Sequence, residues 1–116
     1  MSNERDIVII NKMIKYCYDA IKYAENVSYE QFVKDERSLV FSVFSLSQLG
    51  ELVTLLNKDV MNKYSKEIPW KAIKSVRNRI VHNYDGVQYK IIWNILSNEI
   101  MPLIESLKKI LEDMKK

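Results

Sequence analysis

Apolar residues recur along this chain at intervals of three and four, the spacing that lines up side chains on one face of a helix. The first such stretch is Ile10, Met13, Cys17, Ala20, Ile21 and Ala24, which predicts a helix from about Asp6 to Glu25. Asn26-Val27-Ser28 ends it. Ser28 with Gln31 three residues on is a capping-box pattern, so a short helical turn from Tyr29 to Val33 is expected, with Phe32 pointing inward. A second long stretch, Leu39, Val43, Leu46, Leu49, Val53 and Leu56, predicts a helix over residues 35–57. Gly50 lies inside it and weakens it by roughly 1 kcal/mol relative to alanine. The compensation expected is close approach by a neighbouring helix. A short helix near residues 60–64 follows.

Pro69 opens the third long stretch, because proline suits the first helical turn. Trp70, Ile73, Val76 and Ile80 form its buried side, and it is expected to run to about Asn83. Asp85-Gly86 is a turn signal. The last stretch, Ile92, Leu96, Ile100, Leu103, Leu107, Ile110 and Met114, is a packing seam from about Gln88 onward. Pro102 falls within it and removes a backbone hydrogen bond, so a kink or short break is expected there. Four principal helices and one or two short ones, with short connections, make an all-α antiparallel bundle forming a single domain over residues 1–116.

Composition agrees with the pattern. The chain has 116 residues, enough to bury a core without staples. Only two glycines and two prolines punctuate it, too few for the many turns of a strand-rich fold. No stretch reaches the ~18 apolar residues of a membrane span, and the polar N-terminal residues do not read as a signal peptide. Cys17 is the sole cysteine. It cannot form an internal disulfide and fits a reducing, cytoplasmic setting. Charge is unevenly spread: the whole chain carries +3, but residues 63–90 hold seven basic residues against two acidic ones. Such a local positive field attracts phosphates; the same residues also suit a solvated helix face.

One segment concentrates chemistry: Arg77-Asn78-Arg79-Ile80-Val81-His82-Asn83-Tyr84. His82 is the only histidine, so any imidazole chemistry passes through it. RNA can be cut without a metal when a base takes the ribose 2′-hydroxyl proton, an acid protonates the departing 5′-oxygen, and a cation holds the extra negative charge. His82 and Arg77 are the residue types for those tasks, and no cofactor is implied. Neither a metal-ligand cluster, a glycine-rich phosphate loop nor a serine triad is evident. On one regular helix Arg77 and His82 point about 140° apart. Their cooperation therefore requires either a helix that unwinds near His82 or a second copy of the chain facing the first across a two-fold axis.

The spacing Arg-x4-His-x-Tyr formed by Arg77, His82 and Tyr84 resembles the signature of HepT-like toxins of the HEPN superfamily. The resemblance extends along nearly the whole chain through Tyr29-Glu30-Gln31-Phe32, Leu49-Gly50-Glu51, Ile68-Pro69-Trp70, Arg77-Asn78 and Trp93 with Met101-Pro102-Leu103. It implies a homodimeric, metal-independent ribonuclease toxin with Arg77 and His82 as the catalytic pair at a dimer cleft. It also implies a nucleotidyltransferase-fold antitoxin that transfers AMP to Tyr84. Asn78 and Glu51 are supporting candidates, Asn78 to orient the phosphate or His82 and Glu51 to hold the Arg77 fork. Lys74 and Arg79 are candidates for general RNA attraction. The substrate class would be RNA, transfer or messenger. The alternative function is a non-catalytic HEPN dimer that binds a nucleotidyltransferase partner or a nucleotide through the same cationic cleft.

Overall fold

The structure, a computed structural model, describes residues 3–81 and 87–116. Among these residues there is no strand. The helices are α1 (Glu4–Ile21), α2 (Tyr29–Lys34), α3 (Glu36–Val53), α4 (Lys58–Lys63), α5 (Trp70–Lys74), α6 (Val76–Val81) and α7 (Val87–Asn94). A π-helical segment (Ile95–Glu99) then joins α7 to α8 (Ile100–Met114). α1 packs on α3 and α8, α3 also carries α2, α5 and α6, and α6 meets α7. From Val87 to Met114 the helical run is roughly 42 Å long at 1.5 Å per residue. The body measures 48 × 28 × 21 Å. The fold is an all-α bundle, as the periodicity predicts.

Most of the stripes read from the sequence are buried, though Ala24, Leu39, Val43 and Leu103 are only partly so and Ile68, Ile95 and Ile104 join the core from outside them. Ile10, Met13, Cys17 and Ala20 of α1 are fully buried, as are Leu46 and Val53 of α3 and Ile104 and Leu107 of α8. Each large one contributes about 1.5–3 kcal/mol by leaving water. α3 buries more than its apolar stripe. Ser38, Ser42 and Ser45 are also buried, and the Ser42 hydroxyl donates to the Ala20 carbonyl at 2.8 Å. Small side chains with an internal acceptor let α1 lie close without stranding a polar group.

Several boundaries differ from the periodic reading. α1 ends at Ile21, not Glu25. The chain tightens through bonds from Lys22 to Asp19 and from Ala24 to Ile21, then turns at Asn26, whose φ of 62° is left-handed. Asparagine tolerates that region better than most residues. α3 begins after Asp35, whose carboxylate caps the Arg37 and Ser38 amides. It stops at Val53, since Asn57 belongs to the next helix: its side chain accepts from the Asp59 amide and caps α4. The Ser28–Gln31 capping box forms as expected, with both reciprocal bonds present.

Two larger departures concern the site. The continuous third helix expected from Pro69 onward is broken at Ser75 into α5 and α6. Ser75 adopts φ −88°, ψ 0°, and its hydroxyl donates to the Ala72 carbonyl at 3.2 Å. Serine side chains compete in this way with the helix ladder. Its carbonyl then accepts from the Asn78 and Arg79 amides, which starts α6. In the last helix the irregularity lies upstream of Pro102. The Ile100 amide reaches five residues back to the Ile95 carbonyl. Widening the helix there shifts the Asn98 carbonyl, the group a proline at position 102 would strike in a regular helix.

Candidate active site

The site is built where α5 and α6 cross α3. Gly50 is buried, and a Cβ on it would meet the Ile73 carbonyl oxygen at 3.1 Å and that of Lys74 at 3.4 Å. Glycine thus admits the C-terminal end of α5 directly against α3, the close approach its position in the sequence suggests. The Ser75 turn follows at once. Val76 and Ile80 then bury one side of α6, which turns Arg77 outward. Arg77 emerges beside the residue following Gly50. Its Nη1 donates to Glu51 Oε1 at 3.2 Å.

Both partners stay open to solvent, the Arg77 side chain 61% and the Glu51 side chain 57% exposed. An ion pair so exposed is worth about 0–1 kcal/mol. It aims the guanidinium rather than holding the fold together, and the single bond leaves the arginine accessible to an anionic ligand. Asn78 and Lys74 are also exposed in the same stretch.

Arg79 has a different environment. It donates through Nη1 and Nη2 to both carboxylate oxygens of Glu99, at 3.3 and 3.1 Å. This two-pronged pair ties α6 to the π segment, so much of the Arg79 charge is answered within the protomer. Glu99 carries no sequence signal that would single it out: it lies twenty residues away in a polar run. Ser75 and Gly50 act on the site through backbone placement, and of the two only Gly50 stands out in the sequence. Behind Arg79 and Glu99 lies an apolar hollow of about 270 Å³ whose walls include Leu46, Ile73, Val76 and Ile100. Neither Arg77 nor Glu51 lines it. His82 and Tyr84 lie outside the described residues, as does the expected helix end near Asn83.

The wider cationic stretch is partly answered by acids. Besides the two arginines, Lys63 lies 3.7 Å from Asp113. Asp113 also accepts from the Tyr64 hydroxyl at 2.6 Å, which ties the end of α4 to α8. Burial and then that bond push the Tyr64 hydroxyl up to about 12. The bond in turn lowers the Asp113 carboxyl. Cys17, buried in α1, is pushed up to about 12 by burial and stays a thiol.

The profile of the family described as "Ribonuclease HepT-like" matches residues 13–110, a span that includes Glu51, Arg77, His82 and Tyr84. A "Putative RNase" of Caldanaerobacter subterraneus subsp. tengcongensis is 37% identical over 106 residues, which cover 91% of this chain and 94% of the relative. A "Putative RNase" of Methanocaldococcus jannaschii is 32% identical over 96 residues, covering 83% of this chain and 78% of the relative. The "Probable ribonuclease HepT" of Thermococcus cleftensis is 24% identical, covering 77% and 80%. No solved structure matches the chain. With the match spanning α1 to α8 and the Arg77–Glu51 site inside it, the chain belongs to the HepT-like ribonuclease family.

Proposed function

We propose that this HepT-like ribonuclease is the toxin of a toxin–antitoxin pair and cuts RNA without a metal ion in a cleft between two copies of the chain. The observation that carries this reading is Arg77, held outward by Glu51 yet 61% exposed, within the stretch matched to the family. A base removes the 2′-hydroxyl proton, the 2′-oxygen attacks phosphorus, and the bond from phosphorus to the 5′-oxygen breaks as that oxygen takes a proton. The products are a 2′,3′-cyclic phosphate and a 5′-hydroxyl. Arg77 holds the charge that builds on the phosphoryl oxygens. His82 transfers protons, a task suited to a group titrating near neutrality. Asn78 orients the phosphate or His82, and Lys74 adds general attraction for the RNA backbone.

Tyr84 is the switch. A nucleotidyltransferase-fold antitoxin moves AMP from ATP to its hydroxyl, with pyrophosphate leaving. The added phosphate brings negative charge and bulk to a cleft meant for an RNA phosphate.

Purified protein incubated with total RNA and transfer RNA in excess EDTA tests the reaction. Cutting that persists in EDTA and falls at least about 100-fold in Arg77→Ala and His82→Ala is the expected result. Wild-type cutting that EDTA abolishes overturns the metal-independent mechanism; variants as active as wild type overturn the assignment of the pair.

A further inference from the structure

The cations around the site divide into two groups. Lys63 lies against Asp113, Arg77 against Glu51 and Arg79 against Glu99. Lys71 and Lys74 on α5 and Lys58 at the start of α4 are exposed. Among the described residues, none of these three has an ion-pair partner. All three border one surface feature. Lys58, Lys74, Thr54 and Asn62 line an open hollow between the end of α3 and α4. Lys71, Lys74, Ser65 and Asn62 line a second, between α4 and α5. Met61, Asn62 and Lys74 belong to both, so the two hollows form one groove. Among the described residues, no carboxylate lines it. Asp59 and Glu67, the acids nearest in sequence, stay outside its walls.

The groove is continuous with the site. Thr54 follows Glu51 by three residues, and its hydroxyl donates to the Glu51 carbonyl at 2.6 Å. Lys74 ends α5, and only the Ser75 turn and Val76 separate it from Arg77. The larger hollow measures about 880 Å³, room for a chain of linked groups rather than a single ion. Trp70 forms part of its wall, but the ring is 6% exposed and its Nε1 donates to the Met61 carbonyl at 3.0 Å. It leaves no open face on which a base could stack. Lysines with unanswered charge and no stacking ring suit a phosphate backbone and carry no preference for base sequence. Because the groove opens onto the arginine assigned to the scissile phosphate, the flanks of that same strand fit it better than an acidic protein segment.

We infer that an RNA strand held at Arg77 continues along the α4–α5 groove, with its flanking phosphates against Lys58, Lys71 and Lys74. That the occupant is RNA rests on the function proposed above. The three lysines bind the strand and fix where it runs; they take no part in breaking the bond. Arg79 lies off this track, since it lines neither hollow and its charge is answered by Glu99. Of the two cations that the sequence marks for RNA attraction, the groove therefore uses Lys74 alone, and it adds Lys58 and Lys71, which no motif singles out. Each copy of the chain brings one such groove to the single shared cleft.

The test is equilibrium binding of a short fluorescent 2′-O-methyl RNA to the full chain, read by anisotropy across a range of salt concentrations. This RNA lacks the attacking hydroxyl, so binding is measured apart from cutting. Affinity falls with salt, and the slope of log affinity against log salt counts the phosphates neutralised. Lys58→Ala, Lys71→Ala and Lys74→Ala should each make that slope shallower by about 0.7 and weaken binding about fivefold near 0.1 M salt, as the loss of one contact to a single strand requires. Lys12→Ala, exposed on α1, should change neither. Wild-type slopes in all three groove variants, or an equal loss in Lys12→Ala, overturn the inference. So does polyglutamate that binds as tightly as an RNA of equal charge, which assigns the groove to an acidic protein segment. Binding that follows the three lysines, with no cutting of ordinary RNA, counts against the nuclease reading alone. Cutting by the wild type, with wild-type slopes in the variants, counts against the groove alone.

Discussion

At the scale of single residues, the Arg77–Glu51 pair separates function from stability. With both side chains more than half exposed, removing Arg77 costs the fold at most about 1 kcal/mol. Arg77→Ala is therefore expected to shift the melting temperature by no more than a few degrees, while the loss of RNA cutting is far larger. In the proposed function Glu51 acts through Arg77, to which it is bonded. Glu51→Ala should lower kcat while leaving KM for RNA unchanged or reduced, since a carboxylate facing the phosphate is removed. Glu51→Gln, which still accepts a hydrogen bond, should restore most of kcat. Equal effects of the two substitutions would show that Glu51 does not position Arg77. This pairing was legible in part from the Gly-Glu step, which set Glu51 one residue beyond a close helix contact. The Arg79–Glu99 pair was not, because nothing local links residues twenty apart until the π segment brings them together.

Apolar periodicity located the helices, but it could not show where a helix is interrupted without losing its stripe. Trp70, Ile73, Val76 and Ile80 all bury as a single helix would bury them. The break at Ser75 depends on a hydroxyl bond that periodicity ignores. The buried serines of α3 escape the reading for a similar reason: they are polar in sequence and small in space. Gly50 tests the consequence for the site. Alanine there gains roughly 1 kcal/mol of helix propensity, but its Cβ would press on the Ile73 carbonyl at 3.1 Å, and a backbone group yields poorly. Overpacking of this kind costs about 1–3 kcal/mol. Gly50→Ala is expected to lower the melting temperature by several degrees and to reduce RNA cutting as α5 and α6 move off Glu51. A higher melting temperature in calorimetry would show that α5 shifts freely and that the close contact does not set the register of Arg77.

For the molecule as a whole, two groups that the fold holds protonated, Cys17 and Tyr64, set the direction in which alkaline pH acts. Among the described residues, no helix is long and apolar enough to cross a membrane, and the buried titratable groups serve the bundle itself. Tyr64 joins α4 to α8 through Asp113, and Cys17 lies in the core of α1. Both are raised in the folded chain, Cys17 from 9.0 and Tyr64 from 10.0, each to about 12. In the unfolded chain they ionise near their ordinary values. Between those values and about 12 the unfolded state has released protons that the folded state still holds, so folding stability falls as pH rises. Their contribution is fully present below pH 9.0 and lost as pH climbs through the raised values. Asp113 acts in the opposite sense. Its lowered carboxyl adds stability above the ordinary carboxylate value of 3.8, and that stability is lost as pH falls through the lowered one. Urea midpoints measured from pH 8 to 11 should therefore decline for the wild type. The decline should be shallower for Cys17→Ala and Tyr64→Phe, whatever their stability at pH 8. Parallel curves for all three proteins would show that neither group is held protonated by the fold.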